Sequence, residues 1–193
     1  MSDTARQVPV AGRWPIDPGH TEVGFMGRHL VFTRVRGRFR GVEGFVDVAA
    51  DPEASTVQVS IDMASVDSGD SARDEHLRSA ELFDVEQFPV AIFRGKAVQW
   101  SGHNGKLAGE LMIKGVTCPV ELDVAYLGAV IDPWGGERAA FSARATVNRE
   151  DWGISELSQK GISSRAYTPG PYSRQEGLPA AFDRMILERE KKR

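Results

Sequence analysis

Alternation of apolar and polar residues dominates the sequence and predicts β-strands. The period of two is clearest in residues 55–63, 107–114, 120–127 and 139–147. Weaker alternating segments lie at 13–17, 20–26, 29–36, 38–48 and 90–99. Strands with one apolar and one polar face are typical of antiparallel sheets. The pattern therefore predicts a mainly β protein of about eight antiparallel strands, arranged as a sandwich or a barrel.

One segment between the predicted strands has a helical spacing instead. Leu77, Ala80 and Phe83 are three residues apart, with charged residues between them. Ser71 followed by Asp74 fits a capping box at the start of this segment. We expect a helix over 71–84 that lies against an apolar surface, because its stripe is too apolar for a free linker.

The C-terminal part has a different pattern. Residues 155–175 show no convincing alternation and contain several glycines, prolines and serines. After them, the spacing of the apolar residues predicts a helix over 176–190 with a basic C-terminal end. The apolar residues of this stripe are Leu178, Phe182, Met185 and Ile186.

Composition narrows the possible functions. The chain has 193 residues, 41% of them hydrophobic, which is enough for one globular domain with a core. A formal net charge of −3 gives no electrostatic reason to expect a nucleic-acid partner. No apolar run approaches membrane-spanning length, and the first residues lack the apolar core of a signal peptide. We expect a single domain over 1–193 in the cytoplasm, with no integral membrane segment.

Five strings in order along the chain carry a family resemblance. They are WPIDPGHTEVGFMGRHL (14–30), VRGRFRGVEGFV (35–46), RDEHLRSAELFDVEQFPVAIF (73–93), GELMIKGVTCPVELDV (109–124) and FSARATVNREDWGI (141–154). Together they resemble the YceI-like family of lipocalin-like, polyisoprenoid-binding proteins. The resemblance covers 13–154 and implies an extended antiparallel β-barrel with a helix across one opening. It also implies an apolar interior that holds a long isoprenoid chain, such as the tail of a quinone.

The resemblance leaves residues 155–193 as a divergent C-terminal extension. Members of the family usually end with a last alternating strand, which this pattern does not show. Either that strand is missing, or residues 155–175 contain a distorted one. The predicted helix over 176–190 is then expected to cover an open seam of the barrel, because an unpaired strand edge invites unwanted pairing. Edges left open in this way make a homodimer a further expectation.

Nine apolar residues are predicted to line the interior. They are Phe25, Phe32, Phe39, Leu77, Phe83, Phe93, Leu111, Ile113 and Phe141. On pattern alone, such residues could simply fill the core of a small barrel; the resemblance favours a ligand cavity. Each buried CH₂ contributes about 0.8 kcal/mol, so a few isoprene units suffice for micromolar binding. We therefore expect non-catalytic binding, storage or transport of a quinone-like or other long-chain lipid, with no cofactor besides that ligand.

A polar group is predicted at the mouth of the barrel, formed by His29, Arg73, Asp74 and His76. These side chains either contact a ligand head group or have a structural role. The structural role is favoured, with Asp74 accepting backbone N–H bonds and Arg73 pairing with a carboxylate. The prediction includes no catalytic residue and no metal, since the histidines lack zinc-ligand spacing.

An enzyme acting on a hydrophobic small molecule is the alternative. Asp17, His20 and His29 would be its acid and base residues. This alternative requires one of them to lie inside the cavity with a displaced pKa.

Overall fold

The computed structural model describes residues 8–29, 33–133, 135–154 and 178–189. The one α-helix of these residues, α1, spans Ser71–Arg78, and short 3₁₀ turns lie at Pro52–Ala54, Met63–Ser65 and Arg149–Trp152. The strands are β1 Gly12–Pro15, β2 Glu22–His29, β3 Thr33–Phe39, β4 Val42–Val48, β5 Thr56–Asp62, β6 Val66–Asp67, β7 Val90–Ser101, β8 Asn104–Ile113, β9 Val116–Ile131, β10 Glu137–Val147 and β11 Leu178–Arg189.

All eleven strands of the described residues belong to one antiparallel sheet. Their order is β1-β4-β5-β7-β8-β9-β10-β11-β2-β3-β6. Strands β3 and β4 lie near opposite ends of this order, yet only Arg40 and Gly41 join them. The sheet must therefore curl until its two ends approach each other. The prediction of a mainly β, lipocalin-like barrel is confirmed, although the described residues form more strands than expected.

The alternating segments predicted the strands well. All four clear segments form strands, and β9 is longer than its predicted 120–127. The boundary between β3 and β4 lies at residues 40–41, whereas the pattern placed it near residue 37. The two-residue strand β6 was not predicted, because a pair of residues is too short to show a period.

The predicted helix over 176–190 is wrong, because Leu178–Arg189 form strand β11. This strand pairs with β10 on one side and β2 on the other, so it occupies the seam that the helix was expected to cover. Phe141 and Ala143 of β10 pair with Met185 and Phe182, which leaves an extra residue on β11. Such a bulge shifts the phase of the alternation and produces a spacing that resembles a helix.

Helix α1 is shorter than the predicted 71–84 and ends at Arg78. Its N-cap is Asp70, whose side chain accepts a hydrogen bond from the backbone N–H of Arg73. The predicted capping box at Ser71 and Asp74 is therefore wrong. Residues 79–88 follow as turns, and the guanidinium of Arg78 donates to the backbone oxygens of Ala64 and Val66 at 2.8 Å. These bonds fasten α1 to the segment that contains β6.

The ion pair between Arg40 and Asp67 makes the free energy of unfolding depend on pH in the acid range. Hydrogen bonds lower the pKa of Asp67 from 3.8 to about 2: the largest effect comes from the Arg40 guanidinium and the next from the backbone N–H of Gly69. A carboxyl group whose pKa is lower in the folded chain stabilises the fold above its unfolded pKa. This stabilisation is lost as the pH falls from about 4 to about 2. We expect Asp67→Asn to reduce the acid-induced fall in the urea midpoint; an unchanged fall would contradict this origin.

Candidate functional site

An apolar cavity of about 50 Å³ lies inside the curled sheet. Its wall is built almost entirely from aliphatic and aromatic side chains, as in small-molecule sites. The lining residues are Val8, Pro9, Val46, Val48, Pro52, Ser55, Thr56, Val57, Ala97, Trp100, Leu107, Val124 and Phe141. Such a wall attracts an apolar group by removing it from water and offers few partners for a polar one.

Trp100 of β7 is the largest side chain of the lining. Its ring lies over Gly105, its cross-strand partner, and a Cβ at Gly105 would overlap the ring. The indole Nε1 donates to the backbone oxygen of Gly102 at 3.0 Å. These two features hold the ring at the cavity wall while satisfying its polar atom.

The cavity lies at the end of the barrel remote from α1. Thr56 and Val57, at the start of β5, line it, whereas the other end of β5 leads through Met63–Ser65 toward β6 and α1. Strand β7 runs antiparallel to β5: it starts after the turns that follow α1, and its last part contributes Trp100 to the cavity. A strand of the length of β5 spans about 20 Å, so the cavity and α1 lie about that far apart along the barrel.

A strip of incompletely buried apolar side chains leads away from the cavity. Leu107, Leu111 and Ile113 project from one face of β8, pack against the core and stay partly accessible to water. On β5, which only β7 separates from β8 in the sheet, Val57, Val59 and Ile61 are 2–5% exposed. The interior is therefore less tightly filled along β8 than along β5.

The nine residues predicted to line the interior lie in different parts of the structure, and one of them lines the cavity. Phe141 lines the cavity. At the α1 end, Phe39 packs between Phe25 and Phe83, with ring centroids 5.5 and 5.7 Å away. Phe93 belongs to the core and is 3% exposed. Leu77, Leu111 and Ile113 are partly buried and pack against that core. Phe32 lies outside the described residues.

Three members of the predicted polar group, Arg73, Asp74 and His76, have hydrogen-bond or ion-pair partners within the chain. The carboxylate of Asp74 is buried and accepts from the backbone N–H and the hydroxyl of Ser68, at 2.8 and 2.6 Å. Arg73 pairs with Asp70 at 3.2 Å. His76 pairs with Glu81 at 3.1 Å, and both side chains are about half exposed. His29 is the last residue of β2, and its side chain is not among those that the structure describes.

Substitutions at Asp74 and His76 separate structure from ligand contact. We expect Asp74→Ala to lower the free energy of unfolding by about 1–3 kcal/mol, because it leaves two donors of Ser68 without their acceptor. His76→Ala is expected to change it by less than about 0.5 kcal/mol. Urea unfolding measures both effects. Loss of lipid affinity in His76→Ala would show instead that this residue contacts the ligand.

Two of the three residues of the enzyme alternative, Asp17 and His20, form a hydrogen-bonded pair. Nδ1 of His20 lies 2.7 Å from Oδ2 of Asp17, which also accepts from Arg138 at 2.6 Å. Burial would raise the pKa of Asp17, but hydrogen bonds from His20, Gly19 and Arg138 outweigh it and hold the pKa below its usual value. Among the described residues, the cavity lining contains neither Asp17 nor His20. The geometry required by the enzyme alternative is thus not found for this pair.

Most of the cavity lining was not singled out from the sequence. Val57, Leu107 and Val124 stand on the apolar faces that the alternation identified, so their inward direction was predictable. Val8 and Pro9 precede the first strand, where no pattern signals contact with the interior. The order of the strands, which no local pattern reveals, brings these residues together.

Within the described residues, no helix combines the length and the apolar content needed to span a bilayer. The same residues contain no group of three or more histidine, cysteine, aspartate or glutamate side chains placed to hold a metal ion.

Comparison with known proteins gives matches over most of the chain. A family model described as a YceI-like domain matches residues 14–166. The protein named YceI from Salmonella newport is 38% identical over 148 residues, which are 75% of this chain and 78% of the relative.

Solved structures match the fold. Campylobacter jejuni YceI has a TM-score of 0.66 and 24% identity, covering 92% of this chain and 96% of its own. A Saccharophagus degradans structure, described as a polyisoprenoid binding domain implicated in plant cell wall breakdown, has a TM-score of 0.60 and 15% identity. The match covers 94% of this chain and all of that one. At these identities the two structures support the architecture alone.

Proposed function

The chain belongs to the YceI-like family, and we propose that it binds a long apolar lipid of the polyisoprenoid class inside its barrel. The apolar cavity lined by β4, β5, β7, β8, β9 and β10 is the observation that carries the proposal. The description of the Saccharophagus degradans relative as polyisoprenoid binding supports the ligand class.

The size of the cavity determines how such a ligand enters. A volume of about 50 Å³ is far below the roughly 300–1,000 Å³ of pockets that enclose drug-sized ligands. It has room for a few water-sized groups, on the order of one isoprene unit. The cavity therefore receives the first unit, and the rest of the chain displaces side chains along the strip formed by Leu107, Leu111 and Ile113.

The function that follows is carriage without turnover. Apolar burial alone supplies the affinity, since each five-carbon unit contributes a few kcal/mol and association costs roughly 4–15 kcal/mol. Storage or transport of a quinone-like lipid is the specific form we propose. The predicted location in the cytoplasm and the predicted homodimer stay predictions.

Lipid extraction from the purified protein tests the proposal. Protein purified without detergent is extracted with organic solvent, and the extract is analysed by mass spectrometry. We expect prenyl-chain lipids at a fixed ratio to protein. Recovery of none, together with no uptake of added prenyl lipid after delipidation, would overturn the proposed function.

A further inference from the structure

Strand β9 extends beyond its neighbour β8 at the cavity end of the barrel. The last paired residues of β8 and β9 are Asn104 and Ala125, whereas β9 continues to Ile131. Beyond this point β9 pairs with β10 alone, up to the pair Ile131 and Glu137. We call residues 127–131 the β9 extension.

The β9 extension carries the three most exposed large apolar side chains among the described residues. Leu127 is 57% exposed, Val130 66% and Ile131 77%. Val130 and Ile131 are adjacent in a strand, so their side chains point to opposite faces. A protein partner docked on one face would leave the other in water, whereas immersion in a lipid surface covers both.

Two charged groups beside the β9 extension, Asp132 and Arg138, are paired within the chain. Asp132 accepts from the backbone N–H of Gly136 at 2.8 Å and from Arg138 at 3.2 Å, and its side chain is 9% exposed. Arg138 is held in turn by Asp17. Glu137, the cross-strand partner of Ile131 at the tip of the extension, is partly buried. The carboxylate of Asp132 is thus withdrawn into its turn, which lowers the cost of placing the extension in an apolar medium.

The β9 extension also adjoins the cavity. Val124 of β9 and Phe141 of β10 line the cavity, and Phe141 pairs with Tyr126, the residue just before the extension. We propose that the β9 extension inserts into the surface of a lipid bilayer and brings the cavity end of the barrel against it. This inference rests on the proposed function, because a chain taken from a bilayer must pass from lipid to the cavity.

Vesicle flotation tests the insertion. The full chain is mixed with phosphatidylcholine vesicles, with and without one quarter phosphatidylglycerol, and the floated fraction gives a partition coefficient. We expect the double variant Val130→Ser/Ile131→Ser to lower this coefficient at least about tenfold. The matched control is Val98→Ser/Val116→Ser, which removes side chains that are 48% and 41% exposed elsewhere on the sheet. The control is expected to float like the unsubstituted protein.

A second measurement separates this inference from the proposed function. Uptake of a short prenyl alcohol from solution is expected to be equal in the unsubstituted protein and in Val130→Ser/Ile131→Ser. Equal uptake with no flotation of the unsubstituted protein would overturn the insertion and leave the proposed function standing. A dimer in sedimentation that Val130→Ser/Ile131→Ser converts to monomer would also overturn it, because the extension would then contact a second copy.

Discussion

Leu107→Trp is expected to abolish uptake of prenyl lipids. Leu107 lines the cavity and stands on the inward face of β8, so an indole at this position fills the volume that receives the first isoprene unit. Losing the burial of one such unit weakens binding at least about a hundredfold. Overpacking costs roughly 1–3 kcal/mol of stability, which thermal unfolding of the variant measures separately.

Leu111→Trp is the matched control for this variant. Leu111 lies on the same strand and face, four residues farther from the cavity, a rise of about 13 Å. We expect Leu111→Trp to bind a prenyl alcohol of two isoprene units normally and to reject much longer chains. Native affinity for long chains in both variants would show that the ligand does not follow the β8 strip.

Trp14→Ala is expected to cause the largest loss of stability. Trp14 of β1 is fully buried, and truncating a buried tryptophan costs about 3–5 kcal/mol. Its Nε1 donates to the backbone oxygen of Val10 at 2.9 Å. Val10 follows Val8 and Pro9, which line the cavity, so this bond also holds one wall of the candidate site.

Trp14→Phe separates the two roles of this residue. It retains most of the buried ring but removes the donor, and we expect a smaller loss of stability together with weaker prenyl binding. Chemical denaturation and lipid titration of both variants give the comparison. A loss below about 1 kcal/mol in Trp14→Ala would contradict the assignment of Trp14 to the core.

The alternation of the sequence was sufficient to predict most of the strands because one face of the sheet is buried and the other is in water. The same reasoning failed at β11, where a bulge opposite Phe141 and Ala143 changes the phase of the apolar residues. Without β11, the edges of β10 and β2 would have unpaired backbone groups. Pairing these edges stabilises the extended form of residues 178–189 more than the local helical spacing stabilises a helix.

The candidate site was less predictable than the fold. Aromatic residues were expected to line the interior, yet Phe25, Phe39 and Phe83 pack together near α1. The cavity lies at the other end, where Trp100 is held over Gly105. The difference arises from the curling of the sheet, which decides where inward side chains meet and where they leave space.

Titration of the delipidated protein with a prenyl alcohol of four isoprene units tests the central claim most directly. We expect saturation at one chain per protein, with micromolar or tighter affinity. The fluorescence of Trp100 should change on binding, and Trp100→Phe should lose that component while calorimetry still detects the ligand. Absence of saturable binding, or equal binding by Leu107→Trp, would contradict an isoprenoid site in the barrel interior.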